Sequence, residues 1–191
     1  MENIINFTYM ETELGMMIAA ATNKGICMFE FADYKLLELE LRQLKESLNA
    51  PLVQGHSPHF DMLKEQMEQY FKGERKIFDL PLDLVGTEFQ KQVWLSLLKI
   101  PYGCTTSYAQ QAELIGKPSA VRAVANANGK NKISIILPCH RVIGTDGALT
   151  GYGGGIWRKE KLLTLEKARK NDKAIYCIYI NGVSPLARAD L

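Results

Sequence analysis

The hydrophobic pattern changes period at residues 84–86, and that change limits the fold more than any other feature. Before it, short apolar segments at Ile4–Met10, Leu14–Ala21 and Gly25–Phe31, separated by turn formers at Asn23 and Gly25, predict strands of an antiparallel sheet. Leu37, Leu41, Leu44 and Leu48 then recur every three or four residues and predict a helix over Tyr34–Leu48. Pro51–Pro58 breaks it, a second helix is expected from Pro58 to Phe71 with Gly73 closing it, and Lys76–Leu82 reads as strand-like. Beyond Gly86 the pattern is helical throughout. Thr87-Glu88-Phe89-Gln90 and Ser107-Tyr108-Ala109-Gln110 are capping boxes, the first followed by Phe89, Val93, Trp94, Leu97 and Leu98 at helical spacing. Pro118 opens a further helix over Ser119–Asn128, which Gly129 ends. Two short helices across the Ile115-Gly116-Lys117 turn make a helix-turn-helix candidate. The expected class is α/β (α+β), with an N-terminal α/β domain over 1–84, a mostly helical domain over 85–170 and an extension over 171–191.

Charge divides at the same place. Residues 1–86 hold 8 Lys and Arg against 14 Asp and Glu, a net of −6, whereas residues 87–191 hold 15 against 7, a net of +8. A basic half suits a polyanionic partner, because neutralising phosphates is the main sequence-independent source of nucleic-acid affinity; scattered solvated lysines are the competing explanation. At 47% hydrophobic and 23% charged residues the composition is that of a folded protein, and disordered or fibrous classes are excluded. Met16–Ala21 and Ile133–Leu137, the longest apolar runs, fall far short of the roughly 20 residues that span a bilayer. Cys27, Cys104, Cys139 and Cys177 lack paired Cys-x-x-Cys spacing, so a reducing, cytoplasmic setting without disulfides is expected.

The apolar run Ile133–Leu137 ends in Pro138-Cys139-His140-Arg141-Val142. A thiol at the end of a buried strand is held rigidly yet reaches the exterior, which suits a nucleophile, and Cys139 is the candidate. A free thiol is mostly protonated at neutral pH and needs a proton acceptor. His140 is adjacent, but neighbours on an extended chain point to opposite sides, so a turn or a bridging water is required. Glu166, in a helix expected over Lys159–Lys170, can orient the imidazole as third member of a relay. In Ser119–Asn128 the side chains are small except Arg122, which alone projects. Gly151-Tyr152-Gly153-Gly154-Gly155 has the density of glycine that opens main-chain groups to a flat ligand; it lacks the ending of a phosphate loop.

Taken together, Ile100-Pro101-Tyr102-Gly103, Thr106-Ser107-Tyr108, Arg122-Ala123-Val124, Asn128-Gly129, Ile135 through Gly144 and Gly151-Tyr152 resemble the O6-alkylguanine-DNA alkyltransferases, also called methylated-DNA–protein-cysteine methyltransferases. The resemblance is continuous from about Pro81 to Glu166. It implies a ribonuclease-H-like first domain, a winged helix-turn-helix-type second domain, and one irreversible transfer of an alkyl group from O6-alkylguanine in duplex DNA, after base flipping, to Cys139. It further implies His140 as water-mediated base, Glu166 as its partner, and Asn131 as the tie between the helix-turn-helix and the cysteine. Tyr108 would help rotate the nucleotide and donate a proton toward guanine, and Arg122 would fill the vacancy in the base stack. The DNA face implied is Arg122, Ser107, Tyr108, Ala123, Asn126, Ala127, Asn128 and Gly129. The pocket implied is Tyr152, Gly153, Val142 and Ser134. Ser134 stands where some relatives carry a bulkier proline, so larger adducts or O4-alkylthymine are expected to enter. No cofactor is expected, nor zinc, since the first half offers only Cys27, His56 and His59. A monomer is expected. A lesion sensor on the same fold, a helix-turn-helix regulator and a cysteine hydrolase using Cys139, His140 and Glu166 are the alternatives.

Overall fold

Ile5–Thr12 (β1) and Gly15–Ala21 (β2) pair as an antiparallel hairpin whose register runs from Asn6 opposite Ala21 to Thr12 opposite Gly15. These coordinates are a computed structural model and describe residues 4–33 and 35–167. Ile26–Phe31 (β3) adds antiparallel to β2 and is buried along its whole length, so apart from the buried Glu30 it reads as an apolar run rather than an alternation. Leu37–Leu48 (α1) packs its leucine face on the sheet: Leu37 and Leu44 join Ile5, Ile18, Ala20, Cys27 and Met28 in one core, with Leu41 and Leu48 partly buried against it. Each large side chain so buried contributes about 1.5–3 kcal/mol. Pro58–Phe71 (α2) starts at an N-cap, Ser57, with Pro58 in its first turn, and buries Phe60, Leu63, Met67 and Tyr70.

Two segments of this half depart from the sequence expectation. Within the supposed break, Leu52–Gln54 (β4) pairs parallel to β1, giving the sheet order β3-β2-β1-β4; three residues, two of them exposed, carry no alternation to announce a strand. Lys76–Leu82 is not a strand. The Gln66 amide clamps Asp79 through both its N–H and its carbonyl, at 2.8 and 2.9 Å, and only Leu82 bridges the sheet, opposite Ile26. Gly25 is required there: a Cβ would collide with the Pro81 carbonyl, to which Ile26 N–H donates at 2.8 Å.

The described residues up to Thr87, together with Lys132–Ile136, form one compact unit; Glu88–Asn131 and the described residues from Leu137 onward form the other. The division therefore differs from a single cut at residue 84. Lys132–Ile136 joins the first unit because Phe29 N–H donates to Lys132 O and Ser134 N–H to Phe29 O, each at 2.8 Å. The run Ile133–Leu137 is also not the strand it was expected to be. After one bridge residue, Ile133, it turns, with Ile135 at φ 73°, a conformation that costs a β-branched residue about 1–3 kcal/mol. A wholly buried turn has the same apolar composition as a buried strand, which is why sequence alone confuses them.

The second unit is built on Glu88–Leu97 (α3), Tyr108–Leu114 (α4) and Val121–Asn128 (α5). Val93, Ala112, Val124 and Ala127 form its core, with Phe89, Ile115 and Val121 at the margin. The Ser107 capping box of α4 is present on both sides. One 3-10 turn over Pro118–Ala120 precedes α5, so the expected helix starts as α only at Val121. Trp94 donates to Ala127 O at 2.7 Å, and Gln111 and Asn128 exchange side-chain hydrogen bonds in a buried polar pair between α4 and α5. Thr106–Ser107 (β5) pairs parallel with Val142–Ile143 (β6), and Ile156–Leu165 (α6) closes the described part. The helix expected over Lys159–Lys170 instead starts three residues earlier and stops at Leu165, where Glu166 caps it and Lys167 turns the chain at φ 51°; residues 168–170, the extension 171–191 and Cys177 lie outside the described residues. No helix among the described residues is long and apolar enough to cross a membrane.

Candidate active site

Cys139 opens a one-turn 3-10 helix, Cys139–Arg141, whose Arg141 N–H returns to Pro138 O at 3.0 Å. This is the turn that an extended Cys-His dipeptide lacks. It sends Cys139 toward the surface, 9% exposed, and His140 inward, 0% exposed. Asn131 Nδ2 donates to Leu137 O at 2.9 Å and to Cys139 Sγ at 3.3 Å, so one amide holds both the chain entering the turn and the sulfur itself.

Behind the cysteine lies a carboxylate with four donors. Glu166, at the C-cap of α6, meets His140 Nε2 at 2.9 Å through Oε1. It takes two bonds of 2.9 Å from Arg141 Nε and Nη2, and one of 3.3 Å from Gly103 N–H. Gly103, at φ 77°, sits where a Cβ would come within 3.0 Å of the Glu166 carbonyl, so only glycine brings its N–H this close. Arg141 is further anchored by Ile100 O at 2.6 Å and lies over the Tyr102 ring at 5.8 Å.

Burial by itself would raise the Glu166 pKa, but the hydrogen bonds and positive charge of its partners outweigh it and hold the carboxyl well below the usual range. Burial lowers the His140 pKa, and the charges of Arg141 and Lys159 push the same way against the pull of Glu166. The imidazole is therefore neutral. With an acceptor-only carboxylate at Nε2, the ring proton belongs on Nε2 and the lone pair on Nδ1, which has no hydrogen-bond partner among the described residues. Nδ1 is thus a base with its lone pair available. Cys27, in contrast, is buried in the first unit, its thiol pushed up to about 12 by burial and by Asp83.

These shifts set a pH dependence of stability. Both folded groups refuse protons that the unfolded chain accepts, His140 below about pH 6.5 and Glu166 below about pH 4.3. Stability should fall as pH drops below about 6.5 through His140, and below about 4.3 through Glu166 as well, by up to about 1.4 kcal/mol per pH unit for each group in its own range. Urea unfolding at several pH values measures this, and a His140→Asn variant should flatten the upper part of the slope. An unchanged slope in that variant would count against a neutral buried His140.

Tyr108, the first residue of α4, donates its hydroxyl to Thr150 O at 3.2 Å. Burial pushes the Tyr108 phenol up, so it stays a donor. Tyr152 and Gly153 lie in the loop between β6 and α6, Tyr152 half-buried and Gly153 exposed. On α5, Arg122, Ala123 and Asn126 are exposed, as is Gly129 beyond its end.

Five expected contact residues lie inward. Ala127 and Asn128, expected on the DNA face, have side chains at 3% and 6% exposure that join α5 to α3 and α4. Ser134, expected to line the pocket, is 3% exposed in the first unit with its hydroxyl on Glu30 at 2.9 Å. Val142 is fully buried, with its carbonyl held by Lys159 and its N–H donated to Cys139 O. Ser107, also expected on the DNA face, is 8% exposed, and its hydroxyl accepts from Gln110 N–H as the cap of α4.

Sequence reasoning assigned no role to Arg141 and Lys159. The signal was available for Lys159: with Leu162 and Glu166 it stands at i, i+3 and i+7, the spacing of one buried face.

Fold and site together define a mixed α/β protein that sets a hydrogen-bonded cysteine in the same unit as two short helices joined by a turn. Comparison with known proteins agrees with the fold and names a family. Residues 5–84 match the ribonuclease-like domain, and residues 88–168 the DNA binding domain, of 6-O-methylguanine DNA methyltransferase. The methylated-DNA–protein-cysteine methyltransferase of Methanosarcina barkeri is 42% identical over 161 residues, 84% of this chain and 96% of that protein. A Mycobacterium bovis protein of the same name is 61% identical over 105 residues, 55% of this chain; the match spans 64% of that relative's length. The crystal structure of Mycobacterium tuberculosis OGT in complex with DNA superposes with a TM-score of 0.72 at 40% identity, covering 90% of this chain and 99% of that one. The chain belongs to the methylated-DNA–protein-cysteine methyltransferase family.

Proposed function

We propose that this protein repairs DNA by direct reversal, moving the alkyl group of an O6-alkylguanine in duplex DNA irreversibly to Cys139. The observation that carries the reading is the chain of contacts Asn131–Cys139 and His140–Glu166 in the unit that also exposes the small-residue face of α5. The Cys139 thiol gives its proton through a water to His140 Nδ1, and Glu166 stabilises the imidazolium that forms. The thiolate attacks the alkyl carbon; an S–C bond forms, the C–O6 bond breaks, and the electron pair stays on guanine. Tyr108 supplies a proton to guanine as that charge develops. A thiolate is a poor leaving group from an alkyl carbon, so the thioether persists and each chain acts once.

The substrate base must leave the stack to reach a sulfur set in a turn, at a cost of a few kcal/mol that is smaller for a damaged base. The exposed Ala123 and Asn126 allow α5 to approach a groove closely, while Arg122 projects to occupy the space the base leaves. Every group of the relay comes from one unit of one chain, which supports action as a monomer.

Intact mass after incubation with duplex DNA carrying one O6-methylguanine tests the reading. One methyl group per chain is expected, absent in Cys139→Ser and retained in Cys27→Ser. Turnover of esters or amides without a stable adduct would replace it with a hydrolase.

A further inference from the structure

Glu30 is the one charged residue of β3, and it is 2% exposed. Its Oε1 accepts from Phe31 N–H at 2.8 Å and its Oε2 from the Ser134 hydroxyl at 2.9 Å. A buried carboxyl group costs more than an apolar side chain in the same space, so packing alone does not account for it. Ser134 stands immediately before Ile135, the β-branched residue held at φ 73°. A conformation of that kind persists only where its surroundings over-determine it. Ties to β3 supply this: Phe29 N–H donates to Lys132 O and Ser134 N–H to Phe29 O, each at 2.8 Å, and Glu30 clamps the Ser134 side chain. The segment so held, Lys132–Ile136, is bonded at one end to Asn131 and at the other to Leu137. The sulfur depends on both. Asn131 Nδ2 donates to Leu137 O at 2.9 Å and to Cys139 Sγ at 3.3 Å, and Cys139 N–H returns to Leu137 O at 2.8 Å.

We propose that Glu30, acting through the Ser134 hydroxyl, is a positioning residue for Cys139: it fixes the turn at Ile135 and so keeps the Asn131 amide on the sulfur. The inference rests on the alkyl-transfer reading, in which that sulfur is the acceptor. An N–H aimed at sulfur favours the thiolate over the thiol, so it raises the fraction of Cys139 ready to attack. When the clamp is lost, Ile135 is free to relax toward negative φ and Leu137 O shifts with it. The amide that bridges Leu137 O and Sγ then cannot keep both. Glu30 itself never meets the substrate, and Ser134 is a tie within the first unit instead of a wall of the pocket.

Ser134→Ala in the full chain tests this, with alkylation of Cys139 read at that residue by peptide mass. At pH 7 it should slow both methyl transfer from O6-methylguanine in duplex DNA and labelling by iodoacetamide by about threefold or more, the loss of one hydrogen bond to the thiolate. Near pH 10, where a thiol ionises unaided, labelling should return to within about twofold of the parent. In an Asn131→Ala background, which already lacks the amide, Ser134→Ala should change labelling at pH 7 by no more than about 1.5-fold. Labelling at pH 7 as fast as the parent's or faster, equal slowing at both pH values, or undiminished slowing in the Asn131→Ala background would overturn the proposal. Each of these marks a support of the fold, whose loss exposes or hides the thiol whatever its ionisation. If melting shows that Ser134→Ala is unfolded, Glu30→Gln and Glu30→Leu take its place. Glutamine keeps an acceptor for Phe31 N–H and a donor for the Ser134 oxygen and should stay within about twofold of the parent, while leucine should reproduce the loss. Equal rates in those two variants would overturn the proposal as well. A parent protein that takes up no methyl group sinks the alkyl-transfer reading whatever labelling shows; normal uptake without this pattern sinks only the assignment to Glu30.

Discussion

Glu166→Gln should lower the unfolding free energy by about 3 kcal/mol and slow methyl transfer by about a hundredfold or more. The carboxylate serves two groups at once. Arg141 is nearly buried, with three of its nitrogens committed to Glu166 and Ile100, so removing the negative charge leaves a cation facing an amide. Breaking a buried ion pair from one side costs far more than the pair contributes, because the remaining charge keeps its desolvation penalty. For His140 the loss is of another kind. An amide oxygen still accepts from Nε2, but it cannot stabilise the imidazolium that appears when Cys139 gives up its proton. Stability and rate therefore fall for separate reasons, and a second substitution separates them. Arg141→Met in the Glu166→Gln background should recover part of the stability by removing the orphaned cation, yet none of the transfer rate. Denaturant unfolding and single-turnover transfer measure the two. Stability within about 0.5 kcal/mol of the parent would mean that Arg141 finds other partners on relaxation.

The contrast between Glu166 and Arg141 marks how far the sequence could be read. Cys139, His140 and Glu166 were legible as residue types whose chemistry needs one another. Their distances were not, because the contact depends on a 3-10 turn at Cys139 that a run of apolar residues ending in proline does not announce. Asn131 could be placed only by resemblance, since an amide that holds a sulfur and a carbonyl leaves no periodic mark. Arg141 was hidden by its position in the same motif as the nucleophile, where a charged residue reads as surface. In the fold, strands and helices with strong periodicity fell where expected: β1, β2, β3 and α2 agree within two residues. The failures share a cause. β4 is too short for alternation, Lys76–Leu82 is shaped by the Gln66 amide, and Ile133–Leu137 is a turn buried as deeply as a strand. In each, long-range contacts override the local pattern.

Arg122→Ala should separate chemistry from DNA handling, and it should do so in one direction only. The side chain stands on the exposed face of α5, away from the core of Val124 and Ala127, so truncation leaves the fold intact within about 0.5 kcal/mol. Its absence leaves Asn131, Cys139, His140 and Glu166 unchanged, because the hydrogen bonds that join them do not involve Arg122. Extruding a base costs a few kcal/mol, and a side chain that fills the gap returns part of it. If Arg122 supplies about 2 kcal/mol of that return, transfer from a duplex should slow by roughly thirtyfold on its loss, while reaction with an O6-alkylguanine free base, which has no stack to leave, should stay within about twofold. The same substitution on a duplex with the lesion opposite a mismatch should cost less than on the paired lesion, since a poorly stacked base needs less help. Parallel loss on duplex and free base would make Arg122 a support for the cysteine rather than a wedge, and α5 would then no longer be the face that meets the helix.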